Sequence, residues 1–182
     1  MRSGSERKLP AGVAPVVGNA LDASTFRDAL RSEDTLVQLV GTPHPSPAKA
    51  AEFRAVDLAS ARASMEDAAR ARVAHFVYVS VAHPAPAMHA YVAVRSEGET
   101  LLRATGLPAT ILRPWYVLGP GHRWPYALLP MYWIAERIPK FRDGATRLGL
   151  VTIEQMLGAL VRAVETPPDG VRVWGVPEIR GT

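Results

Sequence analysis

Short apolar runs alternate with amphipathic segments along most of the chain. The apolar runs predict strands over residues 13–17, 35–40, 76–81, 109–112 and 171–176. Apolar residues at helical spacing predict helices over residues 24–31, 49–72, 88–105 and 153–165. Nearly continuous apolar strands separated by helices are typical of a doubly wound α/β fold, whose parallel sheet is covered on both faces.

Local signals mark several helix ends. Thr152 and Gln155 form the pattern of a capping box before the last predicted helix. Gly106, with a proline two residues later, ends the helix over residues 88–105. Asp22 and Ser24 are both N-cap candidates for the helix over residues 24–31, and the sequence leaves the choice open.

Length and composition indicate one packed domain. The chain has 182 residues, 48% hydrophobic and 21% charged, which matches ordinary globular proteins. We expect a single domain over residues 1–182, with residues 120–150 as a small substrate-side segment. No apolar run is long enough to span a membrane, and the first ten residues are polar, so we expect a cytoplasmic protein without a signal peptide.

Charge and residue usage exclude several classes of site. Cysteine is absent, which excludes disulfides, thiolate nucleophiles and cysteine-ligated zinc. The 21 basic residues are spread along the chain without a basic run, so we expect no nucleic-acid binding. The five histidines form no His-x-x-x-His pair, so we expect no metal site.

Tyr91 and Arg95 are four residues apart in a predicted helix, so both side chains share one helix face. The helix follows a strand that ends at Ser80 and precedes a strand that ends in Leu-Arg-Pro. A tyrosine phenol has an unperturbed pKa near 10, so proton transfer at neutral pH requires a nearby cation. The same spacing occurs where a tyrosine packs on the sheet and an arginine reaches solvent, and the pair alone does not decide between the two.

The combined order of these elements resembles the extended and atypical short-chain dehydrogenases/reductases, which include NAD-dependent epimerases/dehydratases and NmrA-like proteins. The resemblance implies a Rossmann-like fold with Ser80, Tyr91 and Arg95 as the catalytic residues, in which Tyr91 passes the proton and Arg95 supplies the charge. It implies cofactor contacts at Asn19, Ala20, Gly41, Thr42, Pro43, Pro114, Trp115 and Val117. In the predicted site loops, His83, His122 and Trp124 are candidates for substrate contacts.

The chain departs from the family pattern in two places. Arg95 replaces the expected lysine, and no Gly-x-x-Gly-x-x-Gly turn occurs in the sequence to seat the cofactor pyrophosphate. We therefore expect a sheet that lacks its first β-α-β unit, as in a truncated reading frame, and weak or absent binding of NAD or NADP. Arg2, Arg7 and Lys8 favour NADP over NAD in a form that carries that unit.

The resemblance implies an NAD(P)-dependent oxidoreductase or epimerase that acts on a small-molecule substrate. The alternatives are a non-catalytic binding or assembly module, similar to an accessory subunit of respiratory complex I, and a redox-sensing regulator. The strand over residues 13–17 loses its normal neighbour, so we expect it to be loosely held or paired with another chain, as in a homodimer. The aromatic-rich residues 124–134 indicate core or lid, with an apolar pocket or a partner-facing surface as the second interpretation.

Overall fold

The protein is built around a parallel sheet with helices on both faces. The structure is a computed structural model that describes residue 4 and residues 9–119, 127, 129–135 and 137–181. The main sheet has the order β1-β2-β3-β6, and all its strands are parallel. Strands β4 and β5 form a second, two-stranded parallel sheet. The strands are β1 Thr35–Gln38, β2 His75–Val79, β3 Ala109–Leu112, β4 Tyr116–Leu118, β5 Leu150–Thr152 and β6 Val171–Trp174.

The helices follow the strands in the alternating order expected of this fold class. A continuous helical stretch after β1 begins with a 3-10 turn, Pro47–Lys49, and includes a π-helical segment, Phe53–Leu58. The α-helices are α1 Ala50–Glu52, α2 Ala59–Ala71, α3 His89–Ala104, α4 Leu129–Ala135, α5 Pro139–Arg147, α6 Ile153–Glu165 and α7 Val176–Arg180. Among the described residues, no helix is long and apolar enough to cross a membrane.

Alternate residues of the central strands pack into two separate cores. Phe76 and Tyr78 of β2 point to one face of the sheet, where they pack with Met65 of α2. Val77 points to the opposite face and packs with Met156 of α6. Successive strand side chains point to opposite faces, so a strand covered on both sides needs an unbroken apolar run. The doubly wound α/β fold predicted from the sequence is therefore confirmed.

Several predicted elements are confirmed, two of them to the residue. The strand over residues 109–112 and the helix over residues 153–165 have the predicted bounds. The capping box is present, because the Gln155 amide donates to Thr152 Oγ1 at 3.2 Å and the Thr152 amide donates to Gln155 Oε1 at 2.9 Å. The strands predicted over residues 35–40, 76–81 and 171–176 exist, but each ends two residues earlier.

Predictions for the segment before β1 are wrong in part. Residues 13–17 are not a strand and are exposed. Where we predicted a helix over residues 24–31, there are two 3-10 turns, Ala23–Thr25 and Arg27–Ala29. Asp22 caps the first turn by accepting the Ser24 amide at 3.0 Å. Residues 13–17 belong to neither of the two described sheets, and Pro15 within them has no backbone N–H to donate to a sheet.

Candidate functional site

Helix α3 brings three polar side chains to the carboxyl ends of the central strands. Tyr91, Arg95 and Glu99 are four residues apart in succession, so they lie along one face of the helix. Arg95 donates to the carbonyl of Val79, the last residue of β2, at 2.9 Å. In an open parallel sheet, ligands bind beyond the carboxyl ends of the strands. This face of α3 is therefore the candidate site.

A buried ion pair holds Arg95 in place. Its Nη2 atom donates to Asp57 Oδ1 at 2.6 Å, and Asp57 is completely buried in the π-helical segment. Thr42 donates to the other carboxylate oxygen twice, through its amide at 2.9 Å and its hydroxyl at 2.6 Å. We call these three residues, together with Gly41, the Asp57 clamp. It ties the loop after β1 to the π-helical segment and to α3.

Gly41 is required by the clamp. A Cβ atom at this position would lie 2.5 Å from Arg95 Nη2 and 3.1 Å from Asp57 Oδ1. The resemblance implied that Gly41 and Thr42 let the backbone approach a cofactor. In the structure, both donors of Thr42 are used by Asp57. Neither Thr42 donor is free to bind a phosphate in this arrangement.

Tyr91 lies half-buried beside the clamp. Its ring meets the Phe53 ring edge-on, with 5.0 Å between the centroids, and its centroid is 5.1 Å from the Arg95 guanidinium carbon. Burial raises the pKa of Tyr91, and the neighbouring Arg95 charge, which acts in the opposite direction, does not outweigh it. Arg95 therefore favours the phenolate, as the sequence suggested, but burial disfavours it more strongly. At neutral pH the phenol keeps its proton.

Glu99 organises a second polar cluster. It accepts hydrogen bonds from the Ser80 hydroxyl at 2.6 Å and from Arg113 Nε at 2.9 Å, and His83 Nε2 lies 3.3 Å from the same carboxylate. Burial raises the pKa of Glu99, but hydrogen bonds from Arg113 and Ser80 and the Arg113 charge bring it below its ordinary value. Glu99 is therefore an ionised carboxylate that holds the Ser80 hydroxyl and fixes the loop containing His83.

The structure unites some of the predicted site residues and separates others. Ser80, Tyr91 and Arg95 all lie at the carboxyl end of β2, and His83 joins them through Glu99. Pro114 is buried after β3, and its carbonyl accepts the Ala82 amide at 2.9 Å. The remaining cofactor candidates are placed as follows: Trp115 stacks edge-on with Tyr116, Val117 lies in β4, and exposed Pro43 accepts a hydrogen bond from Lys49. His122 and Trp124 lie outside the described residues.

Asn19 and Ala20 line a cavity of about 590 Å³ beside β1. Small-molecule sites commonly measure about 300–1,000 Å³, so an adenine ring fits this volume. Leu36, Val37 and Phe26 give the cavity apolar walls. The described residues that line it include no Arg or Lys. The cavity is therefore large enough for a small-molecule group, and its described lining provides no Arg or Lys side chain to pair with an anion.

Sequence analysis missed Asp57 and Glu99. Glu99 had a local signal, because it follows Arg95 by four residues on the same helix face. Asp57 had only a weak signal, a carboxylate within an Ala-rich amphipathic segment. Its partner Arg95 is 38 residues away in the sequence. Among the described residues, no group of three or more His, Asp or Glu side chains is placed to hold a metal ion.

The aromatic-rich segment differs from its first interpretation. Met131, Trp133 and Ile134 are each more than half exposed, so these residues are not core. Tyr132 is half-buried, beside Trp115 and Tyr116, and residues 124–126 and 128 lie outside the described residues. The interpretations as a lid, an apolar pocket or a partner-facing surface stay predictions.

A family model described as NAD(P)H-binding matches residues 2–123. No curated protein sequence matches the chain significantly. The structure is similar to the Bordetella bronchiseptica enzyme WbmH in complex with NAD+, with 19% identity and a TM-score of 0.66, covering 95% of this chain and 64% of WbmH.

Two further solved structures have the same fold. A short-chain dehydrogenase/reductase superfamily protein from Agrobacterium tumefaciens, with bound NAD, has 17% identity and a TM-score of 0.64 and matches 91% of this chain and 66% of its own. DesIV, a dTDP-glucose 4,6-dehydratase from Streptomyces venezuelae with NAD and DAU bound, has 18% identity and a TM-score of 0.60. That match covers 90% of this chain and 58% of DesIV. The chain thus spans less than two-thirds of each of these three neighbours.

Proposed function

The chain belongs to the NAD(P)H-binding family, and from that premise we propose that it is an NAD(P)-dependent protein of the oxidoreductase or epimerase type. The observation that carries the proposal is the placement of Tyr91, half-buried at the carboxyl end of the sheet and 5.1 Å from a fixed guanidinium group. The nicotinamide cofactor supplies the hydride in such chemistry. Tyr91 supplies the proton, and Arg95 acts as a fixed charge held by the Asp57 clamp.

The protonation state of Tyr91 favours one direction of reaction. A phenol that keeps its proton at neutral pH is a general acid, suited to protonate the oxygen of a carbonyl substrate as the carbonyl is reduced. Removal of a proton from an alcohol, in the reverse direction, needs the phenolate. We therefore propose carbonyl reduction as the favoured direction, with His83 near the substrate.

We expect reductive activity to stay level through neutral pH and to fall only at alkaline pH. The raised pKa of Tyr91 keeps the proton-donating form fully populated below that pKa and removes it as the pH rises through it. The measurement is the pH dependence of carbonyl-dependent NADPH oxidation, with NADH in parallel. An activity that instead rises with pH across the neutral range, as a catalytic phenolate requires, would contradict the assignment.

We expect the 182-residue chain to bind NAD(H) and NADP(H) weakly, with a dissociation constant in the millimolar range or above. The cavity accepts an adenine ring, but its described lining offers no cationic group to a pyrophosphate, and Thr42 donates to Asp57. Calorimetric titration should therefore give adenosine and NAD+ similar affinities. Micromolar binding of either dinucleotide, together with much weaker binding of adenosine, would show that a pyrophosphate site exists elsewhere.

A non-catalytic binding or assembly module is the second candidate function. It is favoured by the hydrogen bond from Ser80, a predicted catalytic residue, to buried Glu99 and by the near-complete burial of Arg95 in the clamp. In such a module these groups hold the fold together, and the ligand is a protein partner or a second copy at the edge strand β1. The two candidates differ in what a substitution of Tyr91 does to turnover.

A further inference from the structure

Helices α4 and α5 display an apolar surface to solvent. Its members are large side chains, four of them more than half exposed, and they include two aromatic residues: Met131, Trp133, Ile134, Ile138 and Phe141. Soluble proteins rarely leave such a group of large apolar side chains together in water without a binding role. Neither helix can span a bilayer, since they are 7 and 9 residues long.

Cations accompany the aromatic side chains of this surface. The Arg137 guanidinium carbon lies 3.5 Å from the Trp133 ring centroid, and Lys140 Nζ lies 5.9 Å from that of Phe141. Arg142 follows Phe141 directly and is exposed. Residues 129–147 contain four basic and two acidic residues, a net charge of +2.

A second apolar stripe provides a contrast within the same molecule. Leu157, Val161 and Val164 of α6 are exposed at helical spacing. Exposed Glu154 and Glu165 flank this stripe. The exposed charged residues at its two ends are acidic, and the half-buried Arg162 between them donates to the Glu178 carbonyl and lies over the Trp174 ring. This stripe therefore complements an anionic surface less well than the α4–α5 surface does.

We propose that the α4–α5 surface docks on an anionic phospholipid membrane. Aromatic side chains with adjacent cations suit the headgroup region, where the rings enter the interface and the cations reach phosphates. Trp133, Ile134 and Phe141 supply the inserted apolar area, and Arg137, Lys140 and Arg142 supply the charge. Clustered basic residues near the surface draw such a segment to anionic lipid. The chain lies on the membrane without crossing it.

The test is sedimentation of the full chain with vesicles of phosphatidylcholine alone and of phosphatidylcholine mixed with phosphatidylglycerol. We expect binding to the mixed vesicles only, weakened by salt because surface charges are screened. Trp133→Ser/Phe141→Ser and Lys140→Glu/Arg142→Glu should each lower the partition coefficient about tenfold or more. Circular dichroism shows whether each variant keeps its fold.

Two control variants on other helices test whether binding to vesicles depends on the α4–α5 surface or only on the total charge and hydrophobicity of the chain. Leu157→Ser/Val161→Ser removes apolar area from α6, and Arg103→Glu reverses an exposed charge on α3. Both should bind mixed vesicles nearly as the original chain does. The proposal is overturned if mixed vesicles do not bind the chain, or if Arg103→Glu weakens binding as much as Lys140→Glu/Arg142→Glu does. If the chain instead self-associates without binding vesicles, and Trp133→Ser abolishes that self-association, then the surface binds a second copy of the chain. That result would equally overturn the proposal.

Discussion

Replacing Asp57 with Ala is expected to lower the free energy of unfolding by about 3–5 kcal/mol, the usual effect of leaving one member of a buried ion pair without its partner. Arg95 is nearly fully buried and would keep its charge without a counterion, while Thr42 would lose its acceptor. Chemical denaturation followed by circular dichroism measures the change.

An exposed ion pair on the same helices is the control. Glu97→Ala removes the partner of Arg54, whose Nη1 atom lies 3.1 Å from the Glu97 carboxylate. Exposed pairs contribute about 0–1 kcal/mol, so this variant should unfold almost as the original chain does. If Asp57→Ala does not fold, Asp57→Asn keeps an acceptor for Thr42 and gives a smaller, measurable loss. Equal stability of Asp57→Asn and Glu97→Ala would show that the clamp contributes little.

Replacing Tyr91 with Phe is expected to lower kcat/KM for carbonyl reduction by about 10²–10⁴-fold, the usual contribution of a positioned proton donor. The ring and its contact with Phe53 are retained, so stability and the weak affinity for adenosine should change little. Only the transferable proton is lost. The measurement is steady-state oxidation of NADPH with a panel of carbonyl substrates.

Glu97→Ala is the control on the same helix, since the Glu97 carboxylate pairs with the exposed Arg54 rather than with the clamp. It should leave turnover unchanged. A Tyr91→Phe variant as active as the original chain would remove the catalytic assignment and favour the non-catalytic module.

Replacing Arg95 with Lys tests the same site through stability. The lysine keeps the positive charge, but it cannot donate to both the Val79 carbonyl and the Asp57 carboxylate with the geometry of a guanidinium group. We therefore expect this variant to have a lower free energy of unfolding.

Local patterns explain why part of the fold was predictable. Helix α6 has an unbroken apolar stripe and a capping box, both within a few residues of each other in the sequence, and its bounds were predicted to the residue. Strand β3 is buried throughout because it is covered on both faces. The run over residues 13–17 is also mostly apolar, but it contains Pro15, which has no backbone N–H to donate, and it does not form a strand.

The sequence by itself determined the α/β class, the order of the main elements, and the presence of Tyr91, Arg95 and Glu99 on one face of α3, because helical and strand periodicity are local properties. Only the tertiary structure decided which group Arg95 pairs with. Its partner Asp57 is 38 residues away, and burial, which sets both the strength of the pair and the pKa of Tyr91, depends on how distant segments pack. The pattern that predicted an activated tyrosine places Tyr91, on folding, half-buried beside the buried Asp57–Arg95 ion pair, where burial raises the pKa of the Tyr91 phenol.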